Sequence, residues 1–172
     1  MAPLRIVVCV KPVPDPRYWD RIALDPDTGT LRRVGIPSVI NPLDKHAVEA
    51  GLQARAGASA GGECTILSMA PPDALGTLRQ ALAMGADRAL LLTDRAFAGA
   101  DTLATSYVLA TAIEKLGGAD LILCGGHTVD GSTGQVGPQV AEFLGISQVT
   151  NVSRIGAVDE NQVRVEARMG RH

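Results

Sequence analysis

Residues 119–144 read A-D-L-I-L-C-G-G-H-T-V-D-G-S-T-G-Q-V-G-P-Q-V-A-E-F-L, and this stretch decides the fold. The apolar run at 121–124 predicts a buried strand, and a glycine-containing loop follows it. From Val136 onward, apolar residues recur at the spacing of one helix face. Strand, glycine-rich loop and helix in this order can aim backbone N–H groups at an anion. The alternative is a strand-to-helix turn that needs glycine for its geometry alone.

Side chains within this loop add polar groups that suit a nucleotide. Ser132 and Thr133 carry hydroxyl donors, and the Asp130 carboxylate could accept a hydrogen bond from a sugar hydroxyl. His127 also lies in the loop, but no serine or cysteine at a defined spacing pairs with it as a nucleophile. The residues themselves leave both interpretations open, a phosphate-binding loop and a structural turn.

The rest of the chain alternates strand and helix patterns. Apolar runs predict strands at 4–10, 64–68, 88–92 and 121–124, with helices from 42, 72, 102 and 136. This alternation predicts an α/β fold with an open, doubly wound, mainly parallel sheet and helices on both faces. Ligands bind such sheets beyond the carboxyl ends of the strands, where the strand order reverses. If the first and fourth strands are neighbours there, Cys9 and the loop 125–135 line one crevice.

Two segments depart from the plain alternation. The proline-rich run at 11–16 is expected to end the first strand, because proline cannot continue a hydrogen-bonded ladder. Turn residues at 25–29 predict a β-hairpin insertion within 21–36. Near the end of the chain, two further strands are predicted at 148–155 and 162–167. All of this is expected to form a single domain, residues 1–172.

The start of the helix at 42 carries its own signals. Asn41 is predicted to cap the helix with its side chain, and Pro42 suits the first helical position. Asp44 lies where a carboxylate interacts favourably with the helix dipole. These residues follow the first strand and its insertion, so they are also expected near the crevice.

Composition and missing motifs exclude several functions. A net charge of -2 and an aromatic content of 3% argue against nucleic acid or an anionic membrane as a partner. The three separate cysteines, Cys9, Cys64 and Cys124, are interpreted as buried reduced thiols without metal-ligand spacing. No leader or membrane-span pattern is evident, so the protein is expected in the cytoplasm. The dinucleotide-binding, P-loop and hydrolase motifs are absent, which favours a nucleotide-binding module without catalytic residues.

Several motifs together resemble a known family. They read V-C-V-K-P-V-P-D at 8–15, N-P-L-D-K-H-A-V-E-A at 41–50, L-S-M-A-P-P at 67–72, A-L-A-M-G-A-D-R-A-L-L-L-T-D at 81–94, A-G-A-D-T-L-A-T at 98–105 and D-L-I-L-C-G-G-H-T-V-D-G-S-T-G-Q-V-G-P at 120–138. In this order they resemble the β subunits of electron transfer flavoproteins, including the FixA type. The resemblance covers nearly the whole chain.

The resemblance implies an adenine-nucleotide-binding sheet with the strand order 3-2-1-4-5, as in universal stress proteins. It implies an electron carrier rather than an enzyme, paired with an α subunit that holds most of the redox FAD. The pair would carry electrons from flavin dehydrogenases to a quinone oxidoreductase or another acceptor. The β subunit itself would hold AMP or a second FAD. The loop form D-G-S-T-G-Q favours FAD, because AMP-type members commonly have D-x-N-Q-T-G-Q.

The resemblance also implies a set of nucleotide-binding residues, with no catalytic or metal-binding residue among them. The loop 131–135 would hold the phosphate, residues 41–44 and Cys9 the adenosine, and Thr102 and Thr105 the pyrophosphate of an FAD. The full set is Cys9, Asn41, Pro42, Leu43, Asp44, Met69, Thr102, Thr105, Gly125, Gly126, His127, Thr128, Val129, Asp130, Gly131, Ser132, Thr133, Gly134, Gln135 and Val136.

Two departures keep alternatives open. Family members continue for tens of residues beyond the position of His172, and Gly134 and Val136 replace polar residues of the AMP-type loop. The main alternative is a stand-alone, universal-stress-protein-like binder of ATP or AMP. A fragment that binds no nucleotide is the third possibility.

Overall fold

The computed structural model describes residues 2–24, 26, 31–32, 35–158 and 162–168. In chain order the strands are β1 (Leu4–Cys9), β2 (Pro12–Pro14), β3 (Ala23–Leu24), β4 (Leu31–Arg32), β5 (Ser38–Ile40), β6 (Gly62–Met69), β7 (Arg88–Leu92), β8 (Leu121–Cys124), β9 (Val152–Val158) and β10 (Val163–Ala167). The α-helices are α1 (Pro42–Gly57), α2 (Leu75–Ala83), α3 (Thr102–Lys115) and α4 (Val136–Leu144).

Four parallel strands form the central sheet in the order β7-β6-β1-β8. The order confirms the predicted α/β class and the first four positions of the predicted 3-2-1-4-5 arrangement. The chain leaves β1 for β6 on one side and later places β8 on the other side, so the strand order reverses at β1. Cys9 and Cys124 are register partners at the carboxyl ends of β1 and β8. The crevice expected at this reversal therefore begins between these two residues.

Helices cover both faces of the sheet, as the doubly wound prediction requires. On one face, Val8 of β1 and Ile66 of β6 pack with Val48 of α1. On the other face, Leu67 of β6 packs with Ile113 of α3 and with α4. All five of these side chains are fully or almost fully buried. The central strands read as continuous apolar runs because each of them is buried on both faces.

β1 ends at Cys9, before the proline-rich run, as predicted, but the prolines themselves take part in a second, short strand pair. The segment Pro12–Pro14 pairs antiparallel with Ser38–Ile40. Hydrogen bonds from Asn41 N–H to Lys11 O and from Asp15 N–H to Pro37 O flank the pair. Hydrogen-bonded positions alternate along an antiparallel ladder, so the two prolines occupy positions that require no N–H donor.

Two further strand pairs also lie outside the central sheet. β3 pairs antiparallel with β4, as the hairpin prediction requires, but residues 25 and 27–29 of the predicted turn lie outside the described residues. β9 pairs antiparallel with β10, and the described residues place no fifth strand in the central sheet. The turn predicted at 159–161 also lies outside the described residues.

The first strand of the C-terminal pair begins at Val152 rather than at 148 as predicted. Asn151 adopts a left-handed conformation with φ of 55°, and this bend separates residues 148–150 from the ladder. None of the helices in the described ranges combines the length and apolarity that a membrane crossing requires.

Candidate functional site

The candidate site lies at the carboxyl ends of β1 and β8. Three segments meet there, namely Lys11 after β1, the start of α1, and the loop 125–135 between β8 and α4. The side chains of Asn41 and Asp44 are almost completely buried at this junction. Buried polar groups require hydrogen-bond partners, and the partners of these two residues define the site.

Asn41 connects α1 to the glycine-containing loop. Its side-chain N–H group donates to the carbonyl oxygen of His127 at 2.9 Å, and its side-chain oxygen accepts from the Val129 N–H group at 3.2 Å. Asn41 is the N-cap residue as predicted, but its side chain makes no cap bond, because its polar atoms bond to the loop and to the Asp44 carboxylate instead. The backbone oxygen of Asn41 still accepts from the Asp44 and Lys45 N–H groups.

Asp44 accepts hydrogen bonds from three parts of the chain. The donors are the Lys11 N–H group at 2.7 Å, the Asn41 side chain at 3.0 Å and the Gly125 N–H group. Burial raises the pKa of Asp44 to about 6, although these three bonds and the charge of Lys11 oppose the shift. The carboxylate is thus held inside the junction, where it positions the loop.

Position 125 requires glycine, because the Asp44 carboxylate lies too close to leave room for a Cβ atom. A Cβ at this position would overlap the Asp44 carboxylate oxygen and would lie 3.0 Å from the Asp44 backbone nitrogen. A Cβ at the neighbouring Gly126 would meet nothing within 4 Å. The two glycines therefore have different roles, and only the first is needed for packing.

A second connection joins Lys11 to the loop. The Lys11 ammonium group lies 2.8 Å from a carboxylate oxygen of Asp130, whose side chain is only 4% exposed. The same carboxylate accepts from the Gly131 N–H group. Burial raises the pKa of Asp130, but hydrogen bonds from Lys11 and Thr128 outweigh that effect and hold it below its usual value. Asp130, predicted as a sugar acceptor, is therefore engaged within the protein as an ionised group.

The end of the loop faces outward. Residues 131–135 are exposed, and Ser132 adopts a left-handed conformation with φ of 52°, which is uncommon for a residue with a side chain. Within the described part of the chain, no acceptor is recorded for the N–H groups of Thr133, Gly134 and Gln135. Helix α4 begins at the next residue, so its N-terminal dipole points toward the same region. This arrangement suits an anion.

The base of the crevice is made of sulfur-containing and apolar side chains. Cys9 is 7% exposed and belongs to the buried cluster that also contacts Met69, Cys124 and Val136. The pKa of the Cys9 thiol is raised well above its usual value, first by a hydrogen bond with Cys124 and then by burial. This apolar base can pack against a ligand, while the loop supplies polar contacts.

The structure brings together most of the residues expected at the site. Thr102 joins the loop through a 2.8 Å hydrogen bond to the Gln135 side chain. Pro42 is exposed and Leu43 half-buried at the helix start. Thr105 lies one helical turn beyond Thr102, and no contact between its side chain and the loop is recorded in the described residues.

Sequence reasoning missed two residues at this junction, Lys11 and Cys124. A signal for each was present, since each stands at or just after the carboxyl end of a predicted central strand. That edge of a parallel sheet is where ligand-binding residues are expected. In the sequence, Lys11 stands at the head of a proline-rich run and Cys124 is separate from the other cysteines, which obscures this signal.

Comparisons with known proteins give a consistent picture. Residues 28–170 match the family model described as "Electron transfer flavoprotein domain". The chain is 50% identical to Protein FixA of Azorhizobium caulinodans over 171 residues, which cover 96% of this chain and 59% of that protein. It is 49% identical to the electron transfer flavoprotein subunit beta of Clostridium acetobutylicum, covering 94% and 60% of the two chains.

A third relative is named as part of a larger assembly. The "Caffeyl-CoA reductase-Etf complex subunit CarD" of Acetobacterium woodii is 46% identical over 160 residues, covering 93% of this chain and 60% of that protein. The chain therefore spans about 60% of the length of these curated relatives.

Proposed function

Because the chain belongs to the electron transfer flavoprotein domain family, in its β-subunit and FixA branch, we propose that it binds an adenine nucleotide at the loop 125–135. In this proposal the nucleotide-loaded chain pairs with an α subunit and works as an electron carrier, without catalysing a reaction itself. Electrons would pass from flavin dehydrogenases to a quinone oxidoreductase or another acceptor.

One observation carries the nucleotide proposal. The exposed residues 133–135 have no acceptor for their N–H groups within the described part of the chain, and they lie next to the start of α4. Backbone donors and a helix dipole favour a phosphate and need no charged side chain. The buried bonds of Asn41 and Asp44 support it, because they fix the other end of the loop before a ligand arrives. A loop that is already ordered loses less entropy on binding.

The adenosine end would lie over the apolar base formed by Cys9 and Met69. FAD and AMP share the adenosine and the first phosphate, so both suit this loop. FAD carries a second phosphate and the isoalloxazine ring, which supplies the redox chemistry when FAD is bound. The hydrogen bond from Thr102 to the Gln135 side chain joins this residue to the loop, which supports a role for Thr102 in contacting a second phosphate. This contact supports the preference for FAD that the loop sequence suggests.

Exposed apolar side chains on α3 and α4 support pairing with another subunit. Leu103 is 55% exposed, Tyr107 is 58% exposed and Phe143 is 42% exposed. The rings of Tyr107 and Phe143 pack edge to face with centroids 5.6 Å apart. Adjacent exposed aromatic side chains are typical of protein interfaces.

The nucleotide proposal is tested by two substitutions at one exposed position. Ser132→Asp and Ser132→Asn place side chains of similar size where the backbone is left-handed, and both residue types tolerate that conformation. Only the first adds a negative charge beside the proposed phosphate. We expect Ser132→Asp to weaken AMP and FAD binding at least about tenfold relative to Ser132→Asn, measured by titration calorimetry.

Equal affinities of the two variants would place the phosphate elsewhere. If the unmodified chain binds neither AMP nor FAD, the nucleotide proposal fails, and tight binding of ATP by a colourless homodimer would support the universal-stress-protein alternative. The partner and cofactor are tested by co-expression with an α-subunit homologue. Two flavins per heterodimer support FAD in this chain, whereas one flavin and one AMP support the AMP form.

A further inference from the structure

Two of the three cysteines form a pair at the base of the crevice. Cys9 and Cys124 are directly opposite each other in the parallel register of β1 and β8. Their side chains lie on the same face of the sheet and belong to one apolar cluster. Both are free thiols in this structure. The sequence separates them by more than a hundred residues, so only the fold reveals the pair.

The geometry of the pair suits a covalent bond between the sulfurs. Neighbouring strands lie about 4.8 Å apart, and disulfides join Cα atoms about 4.4–6.8 Å apart. Disulfide Cβ atoms are usually about 3.8 Å apart, so the carboxyl ends of β1 and β8 must approach each other by roughly 1 Å. Both cysteines are the last residues of their strands, so the approach involves only the final register pair of the β1–β8 ladder.

The two thiols differ in access. Cys9 is 7% exposed, whereas Cys124 is half-buried and has surface in contact with solvent. Gly137 of α4 lies directly over Cys124, because a Cβ there would stand 3.3 Å from the Cys124 Cβ. A larger residue at this position would cover the thiol. Cys124 is therefore the point at which a small reagent enters the pair.

We propose that Cys9 and Cys124 are a modification site that forms a reversible intramolecular disulfide by exchange with a small disulfide such as oxidised glutathione. The Cys124 thiolate attacks one sulfur of that disulfide and releases the first thiol. The Cys9 sulfur then attacks the Cys124 sulfur of the mixed disulfide and releases the second thiol. Two electrons pass from the protein dithiol to the small disulfide, and the two protein protons end on the released thiols.

Cys64 is a matched internal control. It is fully buried, and it packs on the opposite face of the sheet with the cluster that faces α1 and α2. A thiol without access to reagent stays inert. The proposal therefore predicts that one specific pair is oxidised while the third thiol stays reduced. It does not depend on which nucleotide the protein binds.

The test oxidises the folded chain with oxidised glutathione, blocks the remaining thiols with a maleimide under denaturing conditions, and measures intact mass and peptide maps. We expect two of the three thiols to be lost, with one peptide that links Cys9 to Cys124. The Cys64→Ala variant should behave in the same way. The Cys9→Ala variant should stop at a mixed disulfide of Cys124 with glutathione, and Cys124→Ala should keep both remaining thiols.

The peptide map of the unmodified chain decides the proposal even if a variant does not fold. A chain that keeps all three thiols after oxidation would overturn it. So would a disulfide that includes Cys64. Oxidation of Cys9 in the folded Cys124→Ala variant would overturn the assigned order of attack. Dithiothreitol should restore all thiols of the oxidised chain, and failure to do so would refute the claim of reversibility.

Discussion

The ionisation of Asp44 gives a quantitative prediction about stability. The pKa of this buried carboxyl is raised from 3.8 to about 6, first by burial. In the native state it therefore holds its proton at pH values where the unfolded chain has already lost it. The stabilisation from this difference is complete below the unfolded pKa and is lost as the pH rises through the folded value. The whole effect amounts to about 3 kcal/mol of unfolding free energy.

The measurement compares the unmodified chain with Asp44→Asn in urea at pH 5 and at pH 7. Acidification should raise the unfolding free energy of the unmodified chain by about 1.3 kcal/mol through this group. Asp44→Asn lacks the titrating group, while all other groups titrate in both proteins. The difference between the two proteins should therefore change by about 1.3 kcal/mol between the two pH values, in favour of the unmodified chain at the lower pH.

Asp87→Asn is a control, because the pKa shift of Asp87 has the opposite direction. The pKa of Asp87 is held below its usual value, chiefly by a hydrogen bond from the Cys64 N–H group and also by Arg55. Its stabilisation is fully present above the unfolded pKa and is lost only as the pH falls below it, so the difference in unfolding free energy between the unmodified chain and Asp87→Asn should stay constant between pH 7 and pH 5. If the difference in unfolding free energy between the unmodified chain and Asp44→Asn stays constant between the two pH values within a few tenths of a kcal/mol, the raised pKa of Asp44 is refuted.

Two further predictions concern the loop. Gly125→Ala should lower the unfolding free energy by about 2 kcal/mol or more, because the added Cβ overlaps the Asp44 carboxylate. The control Gly126→Ala should change the unfolding free energy by no more than about 0.5 kcal/mol, and equal costs of the two substitutions in urea denaturation would contradict this packing. Lys11→Met should destabilise the chain by about 1 kcal/mol, because it removes the ion pair with Asp130. A double-mutant cycle with Asp130→Asn should show a coupling energy of similar size, and additive effects would mean that the ion pair contributes nothing to stability.

The sequence predicted the central sheet well because its signals are local. Each central strand is a continuous apolar run between turn residues, so burial on both faces is visible in the sequence itself. The bounds of β7 and β8 agree with the prediction, and α3 and α4 begin where their caps and spacing place them. The glycine-containing loop was located for the same reason, because it follows a clear strand and precedes a clear helix.

The features that the sequence did not predict involve partners that are distant in the sequence. Asn41 is a residue type that commonly caps helices with its side chain, but here the side chain bonds to residues 127 and 129, far along the chain. Pro12 and Pro14 look like strand breakers in isolation, and they are tolerated because their positions in the ladder with β5 need no donor. Propensity describes one segment at a time, whereas these outcomes depend on which second segment packs against it.

The donors that surround Asp44 explain why a carboxylate is retained at this buried position. Three N–H groups from Lys11, Asn41 and Gly125 point at this carboxyl, and they come from three separate segments of the chain. An ionised carboxylate accepts all of them, whereas a neutral amide presents its own donors to part of the set and leaves N–H groups without an acceptor. The same charge that opposes folding near neutral pH therefore fixes the start of the loop against α1. A site that must present backbone donors to an anion gains affinity from this order, because the cost of arranging the loop is met during folding and not during binding.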